Sequence, residues 1–456
     1  MQDTTGAGPN ERIVNGTWSG PLNPPESIPD TADVIIIGGG IVGVSTAWFL
    51  ARQGVSVVLC EKGYISGEQS GRNWGWVRVQ GRDPREVPMM LDAMATWRTL
   101  HDEIGEDVGY TEGGCLFAAR TDKEMAELEG WHSVALEFDL PTRMLSVEEL
   151  KAHVGDVAGQ WKGALYTSTD GRAEPHLAGP AIARAAERAG ARILTGCAVR
   201  GLLREGGRTA GVVTEAGEIR APIVVCAAGA WTSYFCRAEG IDVPQLKVRG
   251  TVARTGPADL PLTGNLFDSK VGIRRRNDGG YTVAHGSILD HGITPSTFRY
   301  SLKFLPALSR ELKVLRLRFG KDFIEEVARP ARWALDETSP FEKQRVLNPK
   351  PGRGVLRKLR RNLNATFPQF TNVPIVESWA GMVETTPDVV PVIGEEPSVP
   401  GFYVATGFSG HGFGIGPGAG KAIAALVTGG DTKINFHEFR RGRFFDGSKI
   451  RPYTAI

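Results

Sequence analysis

The clearest pattern along the chain is a strand, a helix and a second strand between residues 34 and 60. The run Val34–Ile37 consists only of β-branched residues, which predicts a strand buried on both faces of a parallel sheet. Val44–Arg52 predicts a helix that stops before Gly54, and Val55–Cys60 predicts the second strand. Two parallel strands need a crossover, so the chain is expected to open with a βαβ unit of an α/β fold.

The turn between the first strand and the helix carries the pattern G-x-G-x-x-G at Gly38, Gly40 and Gly43. The first glycine permits a tight turn, the second lets backbone N–H groups approach a pyrophosphate, and the third allows close helix–strand packing. Glu61 follows the second strand, where a ribose-binding carboxylate is expected. The pattern predicts a dinucleotide site without separating FAD from NAD, and the alternative is an ordinary turn with Glu61 on the surface. The expected contacts are Gly38, Gly40, Ile41, Val42, Gly43, Glu61 and Lys62.

Three later segments have the composition of a cofactor groove. Ser70–Trp76 is a polar, glycine-rich loop that offers N–H and hydroxyl donors. Ile223–Trp231 predicts a buried strand that ends in small residues. Gly401–Gly414 leads into a helix rich in Ala, Ile and Leu, whose N-terminus would stabilise negative charge on a reduced flavin.

Composition narrows the class of protein. The chain has 456 residues, with 53 Lys and Arg against 51 Asp and Glu, so its net charge of +2 gives no electrostatic case for nucleic acid as a partner. A hydrophobic share of 41% at this length predicts two or three domains with buried cores, and it excludes a disordered or fibrous chain. The five cysteines are scattered and never spaced C-x-x-C, so neither a disulfide framework nor a metal site is predicted.

The chain also lacks the usual signals for membrane insertion or export. No apolar run approaches the ~18 residues that a membrane-spanning helix requires. Residues 1–32 are rich in Gly, Pro, Thr, Asn and Glu and lack the basic and apolar regions of a signal peptide. We therefore expect a soluble, cytoplasmic protein with a loosely ordered N-terminal arm at 1–32 and a C-terminal tail at 446–456.

In combination, these motifs resemble the FAD-dependent D-amino acid oxidase superfamily, especially its glycine oxidase, sarcosine oxidase and amine dehydrogenase branch. The resemblance runs from about Asp33 to Phe444. It includes Asp170-Gly171 with Pro175, W-A-G-x-x-E-T-T-P-D at 379–388 and G-F-S-G-H-G-F at 407–413. It implies a Rossmann-type α/β FAD-binding domain built from residues 33–86, 160–240 and 371–445. It further implies an α+β substrate-binding domain built from 87–159 and 241–370, in which Leu302–Phe319 is basic and helical.

The resemblance also implies which residues hold FAD beyond the first turn. Val199 would contact the adenine through its backbone. The other implied contacts are Ser70, Gly71, Arg72, Asn73, Trp74, Gly75, Ala228, Gly229, Trp231, Gly381, Gly410, His411, Gly412, Phe413 and Gly414.

Three departures from the family pattern affect the expected chemistry. Counting back from the T-P-D motif, Gly381 stands where sarcosine-oxidase-like relatives tether the flavin through a cysteine, so FAD is expected to be non-covalent. Val383 stands where glycine-oxidase-like relatives hold the substrate carboxylate with an arginine. The stretch 279–286 has no lysine to assist oxygen, so oxygen or another electron acceptor stays open.

Four residues are candidates for orienting the substrate. Glu384 can pair with a substrate cation, or alternatively with a structural arginine. Arg78 and Arg274 can each bind a carboxylate, with ion pairing elsewhere as the alternative. His411, between two glycines, predicts close backbone approach to the flavin rather than acid–base chemistry, and His285 is expected to be a packed strand residue. The basic runs 274–276 and 357–361 are expected to be solvated, with contact to a partner or a membrane as the alternative.

The implied function is oxidation of the C–N bond of an amine or amino acid. Hydride passes from carbon to flavin N5, and water then hydrolyses the imine. One alternative is a dehydrogenase that passes electrons to a quinone or a partner subunit. The other is a flavin-binding accessory subunit without turnover. A homo-oligomer or an electron-accepting partner is compatible with each of them.

Overall fold

The computed structural model describes residues 13–14, 17–18, 25, 27–155, 157, 160–311 and 315–453. Most of the predicted N-terminal arm and the last three residues of the predicted tail therefore lie outside the described residues. Within the described part of the chain, no helix is both long and apolar enough to cross a bilayer.

The first layer is a six-stranded sheet that carries the predicted βαβ unit. All neighbouring strands are parallel except the last pair, which is antiparallel. Every residue of Val34–Ile37 is buried, as a strand covered on both faces requires. This parallel sheet confirms the α/β class. The strands, in order across the sheet, are Arg192–Leu194, Val57–Cys60, Val34–Ile37, Ile223–Cys226, Phe402–Thr406 and Val392–Glu395.

Both faces of this sheet are covered. One face packs against a helical layer formed by Ile41–Ala51, Val87–Ile104, Pro175–Arg188 and Gly412–Thr428. The other packs against a three-stranded antiparallel sheet formed by Val199–Glu205, Arg208–Thr214 and Gly217–Arg220.

The first helix and the second strand differ slightly from the prediction. The helix begins at Ile41, so the last part of the glycine motif is its first turn, and Gly40 is its N-cap. The strand begins at Val57, because the N–H of Val55 bonds to the carbonyl of Leu50 and closes the helix instead.

The second layer is a ten-stranded, mostly antiparallel sheet. Its own core includes Leu116, Ile273, Tyr281 and Phe367. The helices Asp122–Glu137, Val147–Val154 and Arg353–Thr366 lie in this part of the chain. The strands, in order, are Leu315–Arg318, Leu289–Gly292, Leu246–Thr255, Tyr281–Ala284, Gly272–Arg275, Asn265–Phe267, Cys115–Ala119, Gly163–Thr167 and Thr142–Leu145, with Ile375–Thr385 paired to Leu246–Thr255.

Shorter elements connect the two layers. A small sheet joins Trp76–Val77, Gly171–Arg172 and Thr111–Glu112. The remaining elements are the strands Ile13–Val14 and Thr17–Trp18, the α-helices Gln69–Arg72, Thr232–Ala238, Pro295–Arg299, Ser301–Glu311, Lys321–Ala328 and Pro340–Lys343, and the 3₁₀ turns Gly229–Trp231, Pro368–Phe370, Phe436–Phe439 and Arg441–Phe444.

Two expectations about this part of the chain are wrong. Leu302–Phe319 is not one helix, because its helix ends at Glu311 and Leu315–Arg318 joins the edge of the large sheet. The run 274–276 is not solvated, since Arg274 and Arg276 are buried against Glu174. The run 357–361 behaves as expected on its helix, with only Leu359 fully buried.

The domain boundaries stay a prediction. The strands Gly163–Thr167 and Ile375–Thr385 lie in the large sheet, although the predicted boundaries assign them to the FAD-binding domain.

Candidate active site

A deep cleft lies at the carboxyl ends of the parallel strands Val34–Ile37, Val57–Cys60 and Ile223–Cys226. It encloses about 1210 Å³, including the part open to solvent. This edge of an open parallel sheet is the usual place for nucleotide binding.

The glycine turn is built for close approach of a phosphate group. Gly38 has φ +111°, which favours glycine, and a Cβ on Gly43 would lie 2.0 Å from the carbonyl oxygen of Gly38. A Cβ on Gly40 would instead meet only the Ser70 hydroxyl, at 3.1 Å, and would otherwise project into open space. The N–H of Ile41, at the start of the helix, donates to the Ser70 hydroxyl over 2.9 Å. This combination of a helix N-terminus and an open glycine face fits a pyrophosphate.

Glu61 closes the next part of the cleft. Its carboxylate accepts hydrogen bonds from the N–H groups of Gly39 at 2.7 Å and Gly63 at 2.6 Å. Burial raises the pKa of this carboxyl, and the neighbouring Lys62 and the two N–H donors act in the opposite direction. Lys62 donates to Glu68 over 2.8 Å. A carboxylate fixed in this way can accept hydrogen bonds from ribose hydroxyls, so the residues present fit FAD.

The structure brings most of the predicted cofactor contacts into one cleft. The predicted residues that line it are Gly38, Gly40, Ile41, Val42, Glu61, Lys62, Ser70, Asn73, Val199, Ala228, Gly229, Trp231, Gly410, Gly412 and Phe413. The predicted residues that are not among the lining are Gly43, Gly71, Arg72, Trp74, Gly75, Gly381, His411 and Gly414.

Arg72 illustrates why some predicted contacts lie elsewhere. Its buried guanidinium donates to the carbonyl of Gly67 over 3.1 Å, to the side chain of Asn348 over 2.9 Å and to the carbonyl of Ala380 over 3.2 Å. It therefore ties the protein together behind the cleft. Gly414 is likewise a packing glycine, since a Cβ there would lie 2.8 Å from the carbonyl oxygen of Trp76.

Strand alternation separates the two counted positions, Gly381 and Val383, from their neighbours. Successive side chains of Ile375–Thr385 point to opposite faces, and Met382 and Glu384 line the cleft whereas Gly381 and Val383 do not. A Cβ on Gly381 would meet the Gln69 side chain at 2.2 Å. The count therefore identified a strand of the cleft wall, and the contact of Gly381 with FAD stays a prediction.

Glu384 is a buried carboxylate on the wall of the cleft. Only 8% of the residue is exposed, and no ion pair to it occurs among the described residues. The structural alternative, a pair with an arginine, is therefore wrong for this part of the chain. Burial raises the pKa of Glu384 to about 7, and a hydrogen bond from the backbone of Phe408 acts in the opposite direction.

The two candidate arginines have different surroundings. Arg274 is 1% exposed and bonds Glu174 through two nitrogens, at 3.0 and 3.1 Å, so it forms an ion pair within the protein and is not available to a substrate. Arg78 has no carboxylate partner among the described residues. Its guanidinium donates to the carbonyl of Gln80 and lies 5.0 Å from the ring centroid of Phe117.

His411 and His285 are both held by the protein. His411 Nε2 lies 2.8 Å from Glu86 Oε1, both residues are buried, and burial lowers the pKa of the imidazole. In His285, Nδ1 accepts a hydrogen bond from the N–H of Ser287 over 3.1 Å, and burial lowers its pKa to about 4. Neither histidine lines the cleft.

The prediction missed several residues of the cleft. These are Ile37, Gly39, Cys60, Ser66, Gly67, Glu68, Gln69, Ala227, Ala230, Phe235, Phe341, Arg345, Val346, Met382, Ala405 and Phe408. Glu68 and Gln69 adjoin the recognised loop, and Met382 is the neighbour of a counted position. No local pattern marks Phe341, Arg345 and Val346, which reach the cleft from a distant part of the chain.

Known proteins resemble this chain over nearly its whole length. L-amino acid deaminase from Proteus myxofaciens, solved in complex with anthranilate, superposes with a TM-score of 0.89 and 32% identity, covering 94% of this chain and 98% of that one. Glycine oxidase from Pseudomonas aeruginosa is 26% identical over 416 residues, which are 88% of this chain and 96% of that protein.

Mouse mitochondrial sarcosine dehydrogenase is 26% identical over 447 residues, which are 93% of this chain but only 42% of that protein. The chain thus spans less than half the length of that relative. The profile of the family described as FAD dependent oxidoreductase matches residues 33–426. These matches confirm the superfamily and the cofactor expected from the motifs, and the chain belongs to the DAO family of FAD-dependent oxidoreductases.

Proposed function

We propose that this protein oxidises the C–N bond of an α-amino or imino acid that has a large apolar side chain. The observations that carry the proposal are two opposite charges without an ion partner among the described residues: Glu384, which is buried on the wall of the cleft, and Arg78, which is half-buried and lies outside the cleft lining. A free α-amino acid carries a carboxylate and an ammonium, which complement these two groups.

Both charged residues adjoin a loop that consists of the residues leading into the helix Gly412–Thr428 and the first turn of that helix. The backbone of Phe408 bonds to Glu384, and a Cβ on Gly414 would lie 3.6 Å from the backbone nitrogen of Arg78. This loop also supplies Gly410, Gly412 and Phe413 to the cleft. An amino acid held between the two charges would therefore lie beside the same loop as the cofactor.

Four aromatic rings next to Arg78 favour an apolar substrate side chain. Trp74, Trp76, Phe117 and Phe267 pack with ring centroids 5.2–6.5 Å apart. Trp74, Phe117 and Phe267 are each partly exposed, and the guanidinium of Arg78 lies 5.0 Å from the ring centroid of Phe117. The deaminase from Proteus myxofaciens was solved with anthranilate, which combines an aromatic ring with an amine and a carboxylate.

The roles of the chain's own residues follow from these surroundings. Bound FAD supplies the acceptor for the hydride of the C–N bond. Arg78 orients the carboxylate, and Glu384 pairs with the ammonium and accepts its proton at a carboxylate oxygen, which leaves the amine neutral for oxidation. His411, held by Glu86, fixes the loop in front of the helix.

Anaerobic bleaching of the flavin tests this proposal. The expected result is rapid loss of visible flavin absorbance with phenylalanine or leucine, and little loss with glycine, sarcosine or an amine that lacks a carboxylate. Bleaching by carboxylate-free amines alone would refute the role of Arg78. No bleaching by any of these compounds would favour a flavin-binding accessory subunit.

The electron acceptor is tested with the same preparation. After reduction by substrate, re-oxidation is followed with oxygen in one sample and with a soluble quinone in another. Re-oxidation by oxygen at the rate of turnover identifies an oxidase, whereas re-oxidation by the quinone alone identifies the dehydrogenase alternative.

We also propose that FAD is held without a covalent bond. Among the described residues, Cys60 is the only cysteine of the cleft lining, and it directly precedes Glu61, at the end expected to hold the ribose. Acid denaturation should therefore release intact FAD into the supernatant. Flavin that stays with the precipitated protein would contradict this expectation.

A further inference from the structure

A segment that is distant in sequence from the glycine turn forms one wall of the cofactor cleft. We call residues 339–348 the strap. It begins with the short helix Pro340–Lys343 and continues without regular structure to Asn348. Phe341, Arg345 and Val346 of the strap line the cleft, whose other walls come from the glycine turn and the parallel sheet.

The strap is fastened to the strand-and-turn region around Glu61. Lys62 donates from Nζ to the carbonyls of Gln344 and Arg345, over 3.1 and 2.7 Å. Arg345 donates in return to the carbonyl of Lys62 over 2.9 Å. The N–H of Leu347 donates to the Glu68 carboxylate over 3.0 Å. The strap therefore crosses directly over the residues expected to hold the adenosine half of FAD.

Two ion pairs connect the strap to the sheet that carries Val199. Arg345 bonds Glu215 through two nitrogens, at 2.8 and 2.5 Å. Arg200 bonds Glu342 in the same bidentate way, at 3.0 and 2.9 Å. Bidentate geometry makes both ion pairs strong. The side chains of Arg345 and Arg200 are 26% and 15% exposed, so salt in the solvent can still screen these pairs.

Aromatic packing of Phe341 anchors the first part of the strap. Phe341 is 4% exposed and contacts the rings of Trp231, Tyr234 and Trp333 at centroid distances of 5.7, 5.7 and 5.4 Å. The anchor lies next to the ion pairs in sequence. The helix Pro340–Lys343 is therefore anchored by aromatic packing, whereas residues 344–348 are held by polar contacts and by the packing of Leu347 against the core.

We propose that the strap is a cofactor-retaining element that closes over the adenosine half of FAD, and that the pairs Arg345–Glu215 and Arg200–Glu342 set the rate at which FAD leaves. Arg345 and Val346 line the cleft, so FAD bound there would contact the strap, and opening of the strap would require its polar contacts with Lys62 and Glu68 to break. The proposal depends on FAD binding and is independent of the substrate proposed above.

The first test measures FAD release from the loaded protein. Free FAD is followed by its fluorescence after dilution, for the wild type and for the double variant Arg345→Gln/Glu342→Gln. The double variant should release FAD at least tenfold faster. Release from the wild type should accelerate between low and high NaCl, and this salt dependence should disappear in the variant.

The matched control is Arg220→Gln, which breaks the exposed pair between Arg220 and Glu205 in the same small sheet. Its FAD release should equal that of the wild type. Equal release from the wild type and the double variant would overturn the proposal. So would equally fast release from the control, because the effect would then belong to the sheet and not to the strap.

The second test uses the wild-type chain and does not depend on the folding of a variant. Trypsin cuts after Lys343 and Arg345 in the FAD-free protein if the strap opens, and FAD should suppress these cuts. ADP, which carries only the adenosine half, should also suppress them, whereas FMN should not. Cuts that persist with saturating FAD, or protection by FMN and not by ADP, would overturn the proposal.

Discussion

Replacing Glu384 by glutamine tests whether this carboxylate is desolvated without a compensating cation. Burial raises its pKa from 4.5 to about 7. The folded protein therefore keeps a proton that the unfolded chain releases between these two pH values. Consequently, the free energy of unfolding falls as pH rises through this range and stays low above it. At about 1.4 kcal/mol per pKa unit, the loss is about 3 kcal/mol.

Glutamine has nearly the same shape and no charge, so Glu384→Gln should recover this loss. The variant should be more stable than the wild type by about 3 kcal/mol at about pH 8 and nearly equal to it at about pH 4.5. Urea unfolding at both pH values, with the same excess of FAD, measures the difference. Glu218→Gln is the control, since Glu218 is exposed to solvent and the same substitution there removes no buried charge.

A variant of unchanged or lower stability at about pH 8 would refute the reasoning, because it would mean that a stabilising partner compensates the charge.

The same variant also tests the proposed contact with the substrate ammonium. Loss of a buried charge pair costs about 2–5 kcal/mol in productive binding, so flavin reduction by amino acids should slow strongly. Unchanged reduction would remove Glu384 from the substrate site.

Other substitutions separate binding roles from structural ones. Gly40→Val should fold but lose FAD, since the valine side chain would enter the cleft. Gly43→Ala should unfold the domain, because the new Cβ would lie 2.0 Å from a backbone oxygen. Circular dichroism measures the folding of each variant, and flavin content measures its FAD binding. Arg78→Met should raise the KM for amino acids at least tenfold and leave the FAD content unchanged, and an unchanged KM would exclude it as the carboxylate contact. Arg274→Met should lower stability by about 3–5 kcal/mol, because it removes the arginine that bonds both oxygens of the buried Glu174 and leaves only the more distant Arg276, and urea unfolding measures this loss.

The sequence determined those features that depend on neighbouring residues. The β-branched run Val34–Ile37 and the spacing of Gly38, Gly40 and Gly43 dictate a buried strand and a tight turn, because backbone sterics and strand burial act within a few residues. The same reasoning identified the loop at 70–76 and the helix after His411. These local features were sufficient to predict the fold class and a dinucleotide site, and the resemblance of the combined motifs to a known family identified the dinucleotide as FAD.

Tertiary structure decided which side chains face the cleft and which have partners. Arg274 and Arg78 are equivalent as isolated arginines, but the fold brings Glu174, 100 residues away in sequence, against only one of them. His411 meets Glu86 across 325 residues, and the strap reaches Lys62 across 283. Charge pairs act through space at distances of a few ångströms, so their partners are fixed only when the strands and helices have packed.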